Sequence, residues 1–321
     1  MKTSINLTTS SDDMNRFNTT DDLLKLMSGV DGIELMCFED DKRGIIPKER
    51  VTGLHMSYFP YWVDFWNGNH AALDKEFGDR ETWIKHYGGS TREAVIRRYR
   101  RDLDDAHRWG AEYVVFHVSD ATIEETFTLD YHRSDEEVID AAIEMLNELL
   151  VSEDGSLIFL MENLWQPGLR FTRPEMTERL LNGIAYPNKG IMLDTGHLLH
   201  TDTKLRTQEE GLVYINSLLD AHGELCRYIR GIHLNQSLTG EYCEAVRKAP
   251  PILGKTYRER TWQMFLHAFA VDKHEPFTCA GVRELVNRID PEYLTFEFIT
   301  TDSAQHRRYI ELQLEALKER R

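Results

Sequence analysis

Gly190-Ile191-Met192-Leu193-Asp194-Thr195-Gly196-His197 is the stretch from which the fold can be read. It opens as a short apolar run and closes on a carboxylate, a glycine and an imidazole. Such a run suits a strand buried on both faces, which needs apolar residues rather than alternation. Gly196 is expected to give a sharp exit, because glycine takes backbone angles other residues resist. Asp194 and His197 then stand where a buried strand opens, and a carboxylate with a neutral imidazole suits a zinc-type divalent ion. A capping aspartate and a surface histidine would explain this stretch alone equally well.

The same arrangement recurs along the chain. Apolar runs predict strands at Ser4–Leu7, Gly32–Phe38, Val51–Ser57, Glu112–Ser119, Ser156–Asn163, Gly190–Asp194, Ile229–Leu234 and Leu294–Ile299. Helical patterns fall between them, at Thr20–Ser28, Pro47–Arg50, Thr91–Trp109, Ser134–Leu150, Arg173–Leu181, Gln208–Cys226, Gly281–Ile289 and Ser303–Lys318. Ser134 precedes three acids, a helix-start signal. Regular alternation of this kind predicts an α/β protein, a closed (β/α)8 TIM barrel spanning residues 1–321 as one domain. A doubly wound open sheet is the alternative, but no GxGxxG, GxxxxGK[ST] or GxSxG pattern accompanies a strand.

Two connections exceed ordinary loop length and are read as insertions at the C-terminal mouth. One, at about 58–89, carries nine aromatic rings, including Tyr58 and Trp62. The other, at about 236–270, contains Pro250-Pro251 and a helix expected at Tyr257–Phe269. The rings are expected to pack over the barrel rim and to wall the site. Arg97, Arg98, Arg100 and Arg101 are spread around one helix beside acids and read as a solvated face.

The formal charge of −16 argues against a broad nucleic-acid-coating surface. Four scattered cysteines without a CxxC pair read as thiols of a reducing compartment. A polar N-terminus and the lack of any membrane-length apolar run lead us to expect a cytoplasmic protein without a membrane partner. Oligomeric state is left open.

Metal-binding residue types end one strand after another: His55, His117, Glu162, Asp194 with His197, His233 with Asn235, and Glu297, besides Asp272-Lys273-His274. Parallel strands of a barrel all open at one mouth, so these side chains would converge. Gathering several buried carboxylates is costly unless cations neutralise them.

These pieces resemble the xylose isomerase-like barrel superfamily, and within it the endonuclease IV group (AP endonuclease family 2). The matching segments are His55-Met56-Ser57-Tyr58, Val115-Phe116-His117, Met161-Glu162-Asn163, Leu193-Asp194-Thr195-Gly196-His197, His233-Leu234-Asn235 and Asp272-Lys273-His274. The resemblance implies up to three zinc ions. His55, His117 and Glu162 would hold one; Glu162, Asp194, His233 and Glu297 a second; His197, Asp272 and His274 a third. Arg43 and Tyr58 fall near that group's DNA-inserting loop residues. Arg43, Tyr58, Trp62, Asn235 and Lys273 are expected to meet substrate.

Three functions follow. The first is an endonuclease IV-like hydrolase cleaving a phosphodiester, such as an abasic site, with metal-activated water and Glu162 bridging the ions. The second is a single-metal sugar or sugar phosphate isomerase or epimerase using Zn, Mn, Mg or Co, with Glu162 and Glu297 moving a proton. The third is a metal-stabilised binding protein without turnover. Ligand count favours the first, whereas net charge and the aromatic insertion favour the second.

Overall fold

Eight parallel strands close on one another in chain order in the computed structural model, which describes residues 1–318. They are β1 (Lys2–Thr8), β2 (Gly32–Met36), β3 (Val51–His55), β4 (Tyr113–His117), β5 (Ile158–Glu162), β6 (Lys189–Asp194), β7 (Ile229–His233) and β8 (Tyr293–Phe296). The last pairs with β1 and seals the barrel. Every predicted strand is present with shifted ends. The largest shift is at β8, which stops at Phe296 and leaves Glu297 one residue beyond.

Alternation within each strand sends one side chain in and the next out. Tyr113, Val115, Ile158, Leu160, Met192 and Tyr293 fill the barrel interior as a cluster distinct from the larger core beneath the helices. Gly53 makes room for it. A Cβ there would lie 2.1 Å from the Tyr113 ring, so β3 must have glycine where that ring crosses the barrel.

Local signals set the helices. Ser134 Oγ accepts from Glu137 N, and the Glu137 carboxylate accepts from Ser134 N, starting helix Asp135–Leu149 with a reciprocal cap. Pro47–Arg50 yields only a single 3-10 turn, Lys48–Arg50. In helix Glu93–Trp109, Arg97, Arg100 and Arg101 are exposed, whereas Arg98 donates to Ser57 Oγ.

Both insertions are ordered by helices. The first folds into Val63–Trp66, His70–Phe77 and Arg80–Tyr87. Its rings extend the core beneath the helices: Trp62, Phe65, Trp66, Phe77, Trp83 and Tyr87 are buried in it. The expected wall over the site is therefore reduced to Tyr58 and Pro60. Asp120, just beyond β4, ties the insertion to the barrel by accepting from Trp62 N and Val63 N at 2.6 and 2.9 Å. Arg133 bridges Asp120 and Asp64. The second insertion holds helices Gly240–Lys248 and Tyr257–Val271, the latter two residues longer than expected.

Trp83 is fully buried, stacks on His70 and donates to Asp74 Oδ1. Trp83→Ala is expected to cost about 3–5 kcal/mol, because the ring leaves a cavity its neighbours cannot fill. A denaturant titration reads this as a lower midpoint; an unchanged midpoint would mean that the insertion adds no stability.

No helix of the described residues is long and apolar enough to cross a membrane. None of the four cysteines is joined in a disulfide.

Candidate metal centre

The barrel register brings the predicted ligands side by side. His117 pairs with Glu162 across β4 and β5, and Asp194 with His233 across β6 and β7. Glu162, Asp194 and His233 are wholly buried, and His55 and His197 nearly so.

Three groups of ligand atoms result. In the first, His55 Nε2, His117 Nε2 and Glu162 Oε2 lie 3.0, 2.9 and 3.3 Å from one another. Zinc bonds of about 2.0–2.1 Å in a tetrahedron place neighbouring donors about 3.3 Å apart, close to these spacings. In the second, His233 Nδ1 lies 3.0 Å from Glu162 Oε1, 3.1 Å from Glu297 Oε2 and 3.8 Å from Asp194 Oδ2. Glu297 Oε2 is buried and makes no hydrogen bond despite that closeness, as expected of two donors facing one cation rather than each other. In the third, Asp272 Oδ2 lies 3.1 Å from His197 Nε2 and 2.7 Å from His274 Nε2. Asp194, His197 and His274 also form a compact group, so Asp194 and Asp272 flank the same two imidazoles. Asp194 Oδ1 also accepts from His197 N at 2.6 Å. The nine residues thus lie in one cluster of side chains, and Glu162 offers one oxygen to each of two groups.

The ring tautomers fit the same geometry. The Nδ1 atoms of His55, His197 and His274 lie 2.9, 2.9 and 3.1 Å from the carbonyls of Met56, Asn163 and Glu297. Donation there leaves each Nε2 lone pair facing the centre. His233 is turned the other way. Its Nε2 meets the Glu34 carboxylate at 2.9 Å and frees Nδ1.

Glu34 was not anticipated. It stands inside the barrel on β2, where Tyr113 and Thr295 also donate to it. A carboxylate behind a ligating imidazole orients the ring and raises its basicity. Glu34→Gln is expected to weaken metal affinity about 10–100-fold while the fold is kept. A competition titration against a chelating dye measures this; unchanged affinity would remove Glu34 from the centre.

Other residues set the loops. Asn235 Nδ2 donates to Asp194 Oδ2 at 2.7 Å, so Asn235 positions a ligand rather than meeting substrate. Gly196 corrects an expectation. It lies within helix Thr195–Leu199 and not at a strained turn. It is needed because a Cβ would lie 1.9 Å from Asn235 Oδ1. Asp194 caps that helix through one oxygen, as the capping reading expects, and sets the other 3.8 Å from His233 Nδ1. Ser237 Oγ accepts from Lys273 N and His274 N and donates to Asp272 Oδ1. It thereby holds His274 at φ +46°, a left-handed conformation costing a non-glycine residue roughly 1–2 kcal/mol. His200, also unanticipated, lies 3.3 Å from Asp272 Oδ1 and packs on Trp165.

Three expected substrate contacts lie elsewhere. Arg43 donates to the carbonyls of Met14 and Phe17. Trp62 is buried, with its indole donating to Ser119 O. Lys273 is exposed outside the cavity. Tyr58 does line the cavity, edge-on to His117.

Without a cation the centre is electrostatically strained. Burial would lower the pKa of His274, but Asp272 and then Glu297 raise it to about 9. Burial raises Asp194 to about 7, against the pull of His197 and with Glu297 adding. Burial likewise opposes ionisation of Glu162, yet His117 and His233 hold it well below the usual range. A raised pKa stabilises the fold below its unfolded value and stops doing so as pH climbs through the folded value. Metal-stripped protein should therefore lose stability between pH 6.5 and 9, by an order of 3 kcal/mol for His274 alone. Divalent ions should reverse this trend, because they take the place of those protons. Thermal melts with and without zinc across that range test it, and a flat metal-free profile would contradict it.

A closed parallel barrel thus carries, at the C-terminal ends of its strands, clusters of carboxylates and imidazoles that could hold a metal ion. A profile of the xylose isomerase-like TIM barrel family matches residues 27–282, and the chain belongs to that family. No curated protein matches it. Among solved structures, an L-ribulose 3-epimerase is similar with a TM-score of 0.54 and 11% identity, over 98% of this chain and 95% of that one. The IOLI protein with a binding zinc atom gives 0.53 and 12%, over 99% and 98%. The 3-keto-D-glucoside 4-epimerase YcjR from E. coli gives 0.50 and 11%, over 98% and 99%. At these identities the likeness is one of fold.

Proposed function

We propose that the chain is a divalent-metal-dependent isomerase or epimerase of a small sugar. The observation that carries this is the group Glu162, Asp194, His233 and Glu297 set beside a concave cavity of about 530 Å³. That volume lies within the range of about 300–1,000 Å³ typical of small-molecule sites. It does not suit duplex DNA, and neither does the charge of −16. Two of the three similar structures named above are sugar epimerases.

In this reading Glu162, Asp194, His233 and Glu297 hold the ion, which when bound polarises a carbonyl and its neighbouring hydroxyl. Glu297 lines the cavity. Its carboxylate is held below the ordinary range by His233 and His274 in spite of burial, so it is ionised and can accept a proton from the carbon beside the carbonyl. Glu162 serves the opposite face. His117 and His197, also in the lining, bind substrate hydroxyls, and Tyr58 offers a ring to the apolar face of the sugar.

A second reading, hydrolysis of a phosphodiester in a small molecule, is favoured by one observation. The groups around His55 and His117, and around His197, Asp272 and His274, complete two further ion sites that a one-metal isomerase does not need.

One experiment separates the two. Metal-loaded protein is incubated in D2O with a sugar panel and, separately, with a chromogenic phosphodiester, after its metal content is counted. The first reading expects deuterium at one sugar carbon, lost in Glu297→Gln. Diester cleavage without exchange, with two or three ions per chain, would replace it by the second.

A further inference from the structure

The cavity changes character from floor to rim. Its floor is polar, formed by His117, His197, Asp272, His274 and Glu297. The rest of the lining, its wall, is mainly apolar, with Phe38, Phe127, Leu129, Phe265, Phe269 and Ile299 among it, interrupted by polar groups such as Asn6, Thr8, Gln166 and Thr203. Among the described lining residues there is no lysine or arginine.

The wall is assembled from separate parts of the chain. Phe38 follows β2, Phe127 and Leu129 follow β4, Phe265 and Phe269 come from helix Tyr257–Val271, and Ile299 follows β8. Phe38 and Phe269 are 60% and 59% exposed, although each faces the same space. Rings scattered singly over a surface need no explanation, but rings converging on one cavity do.

The wall is also anchored. His267 lies 3.0 Å from both Tyr242 OH and Thr126 O, and its ring stacks on Phe127 at 4.4 Å. Arg260 of the same helix donates to Glu76 O in the first insertion. Both insertions thus hold Phe265 and Phe269 over the centre.

A free sugar is ringed by hydroxyls and would leave this wall without a partner. A phosphorylated tail would find no cationic side chain on it. We propose that the substrate is a glycoside with a ketone on a ring carbon, which supplies the carbonyl the proton transfer needs, and with an uncharged apolar group, an aromatic or alicyclic aglycone, seated against Phe38, Phe265, Phe269 and Ile299. The proposal rests on the reading of the floor as a sugar-processing site. It narrows the substrate from a sugar or sugar phosphate to a neutral, hydrophobic glycoside.

The test compares methyl and phenyl glycosides of glucose, galactose and mannose binding to the metal-loaded full chain, by calorimetry. For at least one sugar, the phenyl glycoside should bind at least about tenfold more tightly, equivalent to about 1.4 kcal/mol. The double variant Phe265→Ala, Phe269→Ala should bring the ratio to within about twofold, with metal content and methyl glycoside affinity kept, because both rings are about half exposed and neither belongs to the cluster of acids and imidazoles. Equal affinities, no binding of any phenyl glycoside, or a ratio that survives the double variant would each overturn the proposal. Deuterium exchange is scored separately on the free sugars, because these glycosides are acetals without the carbonyl that proton transfer needs. A phenyl preference without exchange would sink the isomerase reading and leave the subsite standing; exchange on free sugars without a phenyl preference would do the reverse.

Discussion

Glu162→Gln should cut turnover sharply and weaken metal binding at the group it forms with Asp194, His233 and Glu297. Its Oε2 lies 2.9 Å from His117 Nε2 and its Oε1 3.0 Å from His233 Nδ1. An amide keeps the shape but removes the negative charge, and it turns one acceptor into a donor aimed at an imidazole. We expect turnover to fall by about 10²–10⁴-fold, the range for losing a positioned proton-transfer group. Metal content should fall with it, which separates this variant from one that damages chemistry alone. The fold should suffer too. Removing one partner of a buried charged group costs about 3–5 kcal/mol, because the remaining imidazoles are left uncompensated. Full metal content with full activity in Glu162→Gln would contradict the assignment.

Chelation should act on activity and stability together. A cation that binds only the folded chain stabilises it by about 4 kcal/mol at a thousandfold excess over its dissociation constant. Removing it leaves Glu162, Asp194, Asp272 and Glu297 close together, with only imidazolium protons to offset them. Treatment with a strong chelator is expected to eliminate turnover and lower the melting temperature by several degrees. Readdition of a divalent ion should restore both. Activity that survives exhaustive chelation would leave the convergence of these residues without a purpose.

Much of this centre was legible in the sequence, for a physical reason. Strands buried on both faces read as apolar runs, so a carboxylate or imidazole at the end of one stands out. Asp194 after Ile191-Met192-Leu193 and Glu162 after Phe159-Leu160-Met161 are of this kind. Barrel topology then requires such ends to meet. Glu34 was missed because inward direction depends on strand parity and register, which no local signal fixes. In Gly32-Ile33-Glu34-Leu35-Met36 it looks like Glu297 in Leu294-Thr295-Phe296-Glu297-Phe298, yet one supports His233 from behind and the other faces the centre. Trp62 illustrates the opposite error. An aromatic cluster can wall a site or pack on itself, and the sequence does not distinguish the two until Asp120 and Arg133 pin the insertion down. Gly196 was read as a turn glycine but lies in a helix; what requires it is the close approach of Asn235, just beyond β7 and thirty-nine residues away in the chain.

The claim beneath all of this is that cations hold the strand-end acids and imidazoles together. Anomalous diffraction at the zinc edge, from crystals of protein purified without chelator or soaked with zinc, tests it most directly. The account predicts a peak at bonding distance from Glu162, Asp194, His233 and Glu297; further peaks beside His55 and His117, or beside His197, Asp272 and His274, would favour diester hydrolysis instead. Crystals whose density at the barrel mouth holds only water, even after soaking, would contradict it.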